Sequence, residues 1–341
     1  MEFSLPNKIA IVGAGIIGMT NALLLLENKF EVTVFTKDNP LETNSDAAVA
    51  NWFLPDDSKP ILQKHCLDSF SKFEKLTRVE ESGVQIISDI FYFRSKEAFE
   101  NSIWSKDFLK KLVNPTDPPY SKPEVEGFPF SRLMNIPLIN PTIYRPYLLK
   151  KFESLGGQLK IKKVNFLSEL TDSYDMIVNS AGWEAKHLTN DPYVYPVRGQ
   201  TETMKITQEL ENKYSLNIED LNAYVVFRSL SNDCVVGTTY QVGDSDKKVR
   251  LVDKQEIIKK VSAFFPEVRG IETVSKAGVR CGRSDVRMET EEIINNMRKK
   301  ILIVHCYGHG GSGFSASWGS AYKVLECCES YNMNNNFRLN S

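Results

Sequence analysis

One stretch, IAIVGAGIIG at residues 9–18, constrains this chain more than any other. An apolar run at 9–12 reads as a short strand, Gly13, Gly15 and Gly18 form a GxGxxG turn, and residues 19–26 continue as an apolar helix. Residues 31–35 then supply a second strand. Strand, glycine turn and helix in that order make a βαβ unit whose helix N-terminus binds anions. Each glycine has its own task. Gly13 makes the tight turn, Gly15 lets backbone approach a pyrophosphate, and Gly18 lets the helix pack close to the sheet. This context predicts dinucleotide binding. The acid that would take the ribose hydroxyls is less definite. The second strand runs into Thr36-Lys37-Asp38, which puts Asp38 near the expected ~20 residues beyond the motif, yet a solvated turn aspartate accounts for it equally well.

At 341 residues, 42% hydrophobic and 25% charged, the chain suits two lobes of ordinary size. A net charge of -1 offers no basic field for nucleic acid. No apolar run approaches the ~18 residues of a spanning helix. Neither nucleic acid nor membrane is expected as a partner. The N-terminus, MEFSLPNK, lacks a secretory apolar core and the C-terminus, RLNS, is not an SKL-type address, so a cytoplasmic location is expected. Cys66, Cys234, Cys281, Cys306, Cys327 and Cys328 show no CxxC spacing, which predicts reduced thiols and no metal site.

Residues 43–52, TNSDAAVANW, are small and hydroxyl-rich. Such a stretch lets a flat ligand lie against backbone while Thr43, Asn44 and Ser45 bond phosphate or ribose, although a capped loop reads the same way. From about 55 to 141 the α/β rhythm is lost: helical spacing at 61–76, strands at 84–93 and prolines at Pro115, Pro118, Pro119 and Pro123 suggest a second lobe with a long loop. The rhythm resumes with a helix at 147–155, stopped by Gly156-Gly157, and strands at 158–164 and 174–178. The last runs into Asn179-Ser-Ala-Gly182, where Gly182 gives another close backbone approach. The nucleotide domain is therefore discontinuous. Segments 201–205, 224–227 and 234–240 are β-rich, and 247–269 holds a polar linker and a helix. His65 and His187 have no metal-type partners and read as structural.

Two further stretches carry chemistry. GVRCGRSDVR at 278–287 holds three arginines; a strand arginine is ordinarily solvated or paired, but in a pocket it grips a carboxylate by two parallel hydrogen bonds. ILIVHCYGHGGSGFSASWGSA at 301–321 is a strand, a loop carrying Gly308, Gly310, Gly311 and Gly313, and a helix from near Ser315, which together read as a ligand loop. An Asn-rich stretch, 332–336, is expected to fray.

In family order and over nearly the whole length, IVGAGIIG, TNSDAAVANW, PVRGQ, GVRCGRSDVRME and VHCYGHGGSGFSASWGSA resemble the flavin-dependent D-amino-acid oxidases. The resemblance implies FAD rather than NAD, and a homodimer. It also implies an α/β (α+β overall) fold: a discontinuous Rossmann-like FAD-binding domain (1–54, 142–195, 284–332) with a mixed β-sheet substrate-binding domain (55–141, 196–283) and a tail (333–341). It makes Arg283 the partner of the substrate α-carboxylate, Tyr224 a second donor to it, and the Gly313 carbonyl the acceptor of the amine. Gly13, Ala14, Gly15, Ile16, Ile17 and Gly18 would meet the pyrophosphate, Lys37 and Asp38 the adenosine, and Thr43, Asn44, Ser45, Ala50 and Asn51 the phosphate and flavin. Val164 would lie at the adenine end, with Gly310, Gly311, Ser312, Gly313, Phe314 and Ser315 at the flavin ring.

Departures from the pattern are visible. Lys37-Asp38 reverses the family's acid-then-base order, Phe53 replaces a polar residue, and Cys281-Gly282 replaces a proline-containing pair. AYVVFRSLSND lacks a YxxPG turn, so the active-site lid is expected to differ in shape. The implied reaction is hydride transfer from a D-amino acid to flavin N5 without a protein base, with oxygen as acceptor, giving a 2-oxo acid, ammonia and hydrogen peroxide. Relatives that prefer acidic substrates carry a cation in the strand that here reads GTTYQ; Tyr240 in that place favours neutral or aromatic D-amino acids. A D-aspartate oxidase, a glycine or N-methyl amino acid oxidase and a non-catalytic flavoprotein are the alternatives.

Overall fold

The computed structural model describes residues 7–118, 122–210 and 213–339, so Pro119 and the extreme termini lie outside the described residues. Its strands are β1 (Lys8–Val12), β2 (Glu31–Thr36), β3 (Val84–Phe93), β4 (Phe130–Ile139), β5 (Gln158–Ile161), β6 (Met176–Asn179), β7 (Tyr195–Lys205), β8 (Ser215–Ile218), β9 (Ala223–Arg228), β10 (Asp233–Gly237), β11 (Gln241–Val242), β12 (Val274–Gly282), β13 (Arg287–Ile294) and β14 (Lys300–Tyr307).

A six-stranded sheet runs β13-β14-β6-β1-β2-β5. All its pairings are parallel except β13 with β14. The apolar runs in β1, β6 and β14 are buried on both sides, as a parallel sheet covered by helices requires. Helix Ile16–Glu27 is buried from Ile16 to Leu26 and packs against helices Pro141–Ser154 and Ser317–Leu339. The glycine turn before it is sterically enforced. Gly13 has φ +111°, and a Cβ there would stand 2.3 Å from the Ser180 carbonyl oxygen. A Cβ on Gly18 would stand 1.8 Å from the Gly13 carbonyl oxygen, so Gly18 lets the helix close onto its own turn. β1 has β2 on one side and β6 on the other, the arrangement that opens a crevice at the strands' carboxyl ends.

An eight-stranded sheet runs β11-β7-β10-β9-β8-β3-β4, with β12 also on β7, and is antiparallel apart from β3 with β8. One face buries Ile90, Leu216, Val225 and Val236 against Ile257 of helix Leu251–Val261. The opposite face turns toward the first sheet. Along this face, strand alternation lines up Asp89 and Phe91 on β3, Asn217 on β8, Tyr224 on β9 and Gly237 on β10, through the pairs Phe91↔Asn217, Asn217↔Tyr224 and Gly237↔Tyr224.

Two local expectations are corrected. Helix Ser317–Leu339 continues through the Asn-rich stretch expected to fray. The strand expected over 158–164 ends at Ile161. Among the described residues no helix is long and apolar enough to cross a membrane.

Candidate active site

A cavity of about 950 Å³ opens where β1 and β6 end, and reaches across to the inner face of the second sheet. Gly13, Ala14, Gly15, Ile16 and Ile17 form its floor at the start of helix Ile16–Glu27, whose first turn carries no acidic residue. The positive end of that helix is therefore open to an anionic group. Ser45 Oγ accepts from Ile16 N at 3.0 Å, and Asn44 Oδ1 accepts from Val279 N at 3.1 Å. Arg145 clamps the same loop from behind, donating to Asp46 and to the Pro40 carbonyl, both at 2.9 Å. Thr43, Asn44, Ser45, Ala50 and Asn51 thus line the cavity, though two of the polar side chains are spent on holding the loop.

At one end lie Lys37, Asp38, Val164 and Gly182. The Lys37 ammonium is taken up by Glu184 at 2.6 Å, and Asp38 beside it has no ion pair among the described residues. Trp183 lines the same end, and its indole N–H is buried without an acceptor among the described residues. The middle of the wall is the glycine loop. Gly310, at φ +54°, donates its N–H to the Cys281 carbonyl at 2.8 Å, and Ser315 Oγ accepts from Phe53 N at 2.9 Å. Gly311, Ser312, Gly313 and Phe314 complete this wall. His309 Nε2 and His65 Nδ1 share Ser320 Oγ at 2.9 and 3.1 Å. Burial pushes His309 down to about 3 and His65 down to about 4, so both are neutral near pH 7.

The far end is cationic. Arg280 on β12 lies over Gly199 on β7, where an added Cβ would meet its Nη1 at 2.2 Å. It donates to the Thr239 carbonyl and to Thr238 Oγ1, both at 3.3 Å, and stands 5.6 Å from the Tyr240 ring. No ion pair joins Arg280 to a carboxylate among the described residues, and burial holds the guanidinium below the ordinary arginine value. Tyr224 borders the same space; burial raises its phenol further, so it stays a hydroxyl donor.

The arginine that lines the cavity is Arg280, three positions before the Arg283 expected from the sequence. Arg283 is not on the cavity wall. Its Nε donates to Asp191 at 3.2 Å and its Nη1 to the Asp285 carbonyl at 3.1 Å, while Asp191 also accepts from Tyr307 at 3.0 Å. Gly278, Val279, Arg280 and Cys281 of β12 line the cavity, whereas residue 283 follows the strand's last residue, Gly282, and its side chain turns to Asp191. Arg280, not singled out among the three arginines of the sequence, is the one on the cavity wall. Gly18, like Arg283, is off the wall, a packing glycine. Tyr224 and the other expected residues do line this one cavity.

A two-sheet scaffold, a glycine-turn floor and a half-buried cation at the far end suit a bound dinucleotide. Residues 8–326 match the family model described as FAD dependent oxidoreductase, and the chain belongs to that family. Its cofactor is FAD. The wall fits the group: a helix N-terminus free of acids, Gly13 where a Cβ cannot stand, and an orphaned indole N–H at the adenosine end. The chain is 29% identical over 322 residues to the D-amino-acid oxidase of Rubrobacter xylanophilus, covering 92% of this chain and 93% of that one. It is 26% identical over 339 residues to the D-aspartate oxidase of Homo sapiens, covering 94% and 95%. Among solved structures, L-alpha-glycerophosphate oxidase from Mycoplasma pneumoniae with FAD bound matches the fold at a TM-score of 0.75, 17% identity and 94% of each chain.

Proposed function

We propose that this protein is a D-amino-acid oxidase that deaminates D-amino acids with neutral or aromatic side chains, as a homodimer in the cytoplasm. The observation that carries the reading is Arg280, a half-buried guanidinium without a carboxylate partner among the described residues, facing a cavity whose floor suits a dinucleotide. A substrate α-carboxylate supplies the missing anion through two parallel hydrogen bonds, and the Tyr224 hydroxyl donates a third. The amine is received by a backbone carbonyl of the glycine loop. Gly311 serves better than Gly313, because a Cβ at Gly311 would stand 3.9 Å from Arg280 Cδ whereas Gly313 faces Ile16. These contacts fix Cα in one orientation, which selects the enantiomer. When bound, FAD would supply the electron chemistry, a two-electron oxidation at Cα with oxygen as the final acceptor, so that hydrogen peroxide forms and the imino acid hydrolyses to 2-oxo acid and ammonia. No side-chain base is assigned, since His309 and His65 are neutral and bonded to Ser320.

Selectivity against acidic side chains follows from Tyr240, which stands beside Arg280 where a second cation would bind a side-chain carboxylate. A D-aspartate oxidase is the second reading, favoured by Lys59 and Lys247 on the same cavity wall. Anaerobic flavin reduction by a panel of D- and L-amino acids tests both. D-alanine and D-phenylalanine should bleach the flavin, with D-aspartate slower and L-enantiomers inert. Faster bleaching by D-aspartate favours the second reading, and no bleaching by any D-amino acid removes both. Size-exclusion chromatography with light scattering tests the dimer.

A further inference from the structure

We propose that Thr238 is a positioning residue for substrate binding: its hydroxyl holds Arg280 and Tyr224, the two donors assigned to the substrate carboxylate, in place before any substrate arrives. The proposal rests on the D-amino-acid oxidase reading and adds to it the residue that links the two donors.

The backbone of Thr238 is tied on both sides, which gives its side chain a set direction. The residue follows Gly237, the last of β10, and Gly237 is paired with Tyr224 of β9. The Thr238 N–H donates to the carbonyl of Asn222, the residue that leads into β9, at 2.9 Å. Its carbonyl accepts from Lys260 Nζ, on helix Leu251–Val261, at 2.8 Å. One bond thus ties Thr238 to the strand that carries Tyr224, and the other ties it to the helix behind the sheet. Gly237 lets the phenol come close, since a Cβ there would stand 2.5 Å from Tyr224 Oη. Thr238 is only 6% exposed, and it lines the cavity.

A hydroxyl has one proton to give and two lone pairs with which to receive. Thr238 Oγ1 spends its proton on a backbone carbonyl, that of Gln200 at 2.9 Å or that of Thr239 at 3.2 Å. The oxygen is left to accept. It accepts from Arg280 Nη2 at 3.3 Å, and the Tyr224 phenol is its other side-chain partner. Arg280 is steadied at a second point by the Thr239 carbonyl, which accepts from Nη1 at 3.3 Å. Thr239 is itself bonded to the Gln200 backbone through its hydroxyl and its N–H. Both bonds to Arg280 are long for N–H···O, so they orient the guanidinium without consuming it, and an ionised carboxylate is the stronger acceptor. Binding then costs little side-chain freedom, because guanidinium and phenol are already placed.

Valine has the shape of threonine without the hydroxyl, and serine keeps the hydroxyl without the methyl. On the flavin-loaded protein, Thr238→Val should raise the Kd of benzoate, a carboxylate with no amine to oxidise, and the KM of D-alanine, each about five- to tenfold, with kcat within about threefold. The Kd is read from the visible flavin spectrum. Thr238→Ser should keep both constants within about twofold of the parent, as retention of the hydrogen bonds requires. In a Tyr224→Phe background Thr238→Val should cost a smaller factor, because one of the two groups it places is gone. Parental benzoate binding in the valine variant, or equal losses in the valine and serine variants, overturns the role of Thr238 and leaves D-amino-acid oxidation standing. Failure of the parent protein to oxidise any D-amino acid, D-alanine included, overturns the oxidase reading and this role with it.

Discussion

Arg280 lines the cavity with no ion pair among the described residues, whereas Arg283 is spent on Asp191. Replacing Arg280 by leucine should remove a charge-assisted pair of roughly 1.5–3 kcal/mol and raise KM by about ten- to a hundredfold, with flavin content kept. Arg283→Leu should instead cost roughly 1–3 kcal/mol of stability in urea unfolding, because Asp191 is left buried with fewer donors, while KM stays within about twofold. Equal kinetic damage in the two variants would overturn this division of labour. A second residue-scale consequence concerns pH. His65 is held down to about 4 in the folded state by burial, against 6.5 when free. A depressed imidazole contributes stability above about 6.5, and that contribution is lost as pH falls toward about 4. In His65→Gln, the decline of Tm between pH 6.5 and 4.5 should be shallower than in the parent; an unchanged slope would exclude this group as its source.

At the scale of elements, the pairing of β7 with β12 shapes the carboxylate anchor. Gly199 leaves room for the Arg280 guanidinium, and a Cβ there would press on Nη1 from 2.2 Å. Gly199→Ala should therefore displace the guanidinium and raise KM by about tenfold while the visible flavin spectrum persists; normal KM would mean that the side chain has other room. The same pairing explains what sequence could and could not disclose. The βαβ start and the tasks of Gly13 and Gly18 were legible because strand, turn and helix are consecutive in the chain. The glycine loop before helix Ser317–Leu339 was legible for the same reason. Arg280 was not separated from Arg283 because the choice depends on where β12 ends and which part of it borders the cavity. Asp89 and Asn217 gave no local signal, since β3 and β8 meet only through the sheet register. The altered turn beside Tyr224 was visible as a departure, but only the fold shows that Glu219–Leu221 and Asn222 join β8 to β9 directly.

Taken whole, the molecule threads its chain back and forth between two sheets. β1 and β2 belong to the first, β3 and β4 to the second, β5 and β6 to the first again, β7 to β12 to the second, and β13 and β14 to the first. Neither sheet is a continuous piece of chain, so the two should not melt apart. Far-ultraviolet circular dichroism and flavin fluorescence, followed through one urea titration, should change together; a released flavin with secondary structure intact would show that the cofactor layer opens alone. The cofactor cavity itself is bounded by Gly13 near one end of the chain and by Ser315 near the other. On the ribosome, therefore, an emerging polypeptide carries the glycine turn about three hundred residues before the opposing wall that would hold a flavin against it. Loading of the coenzyme must wait until translation has passed residue 315, so it follows the folding of the glycine turn rather than guiding it.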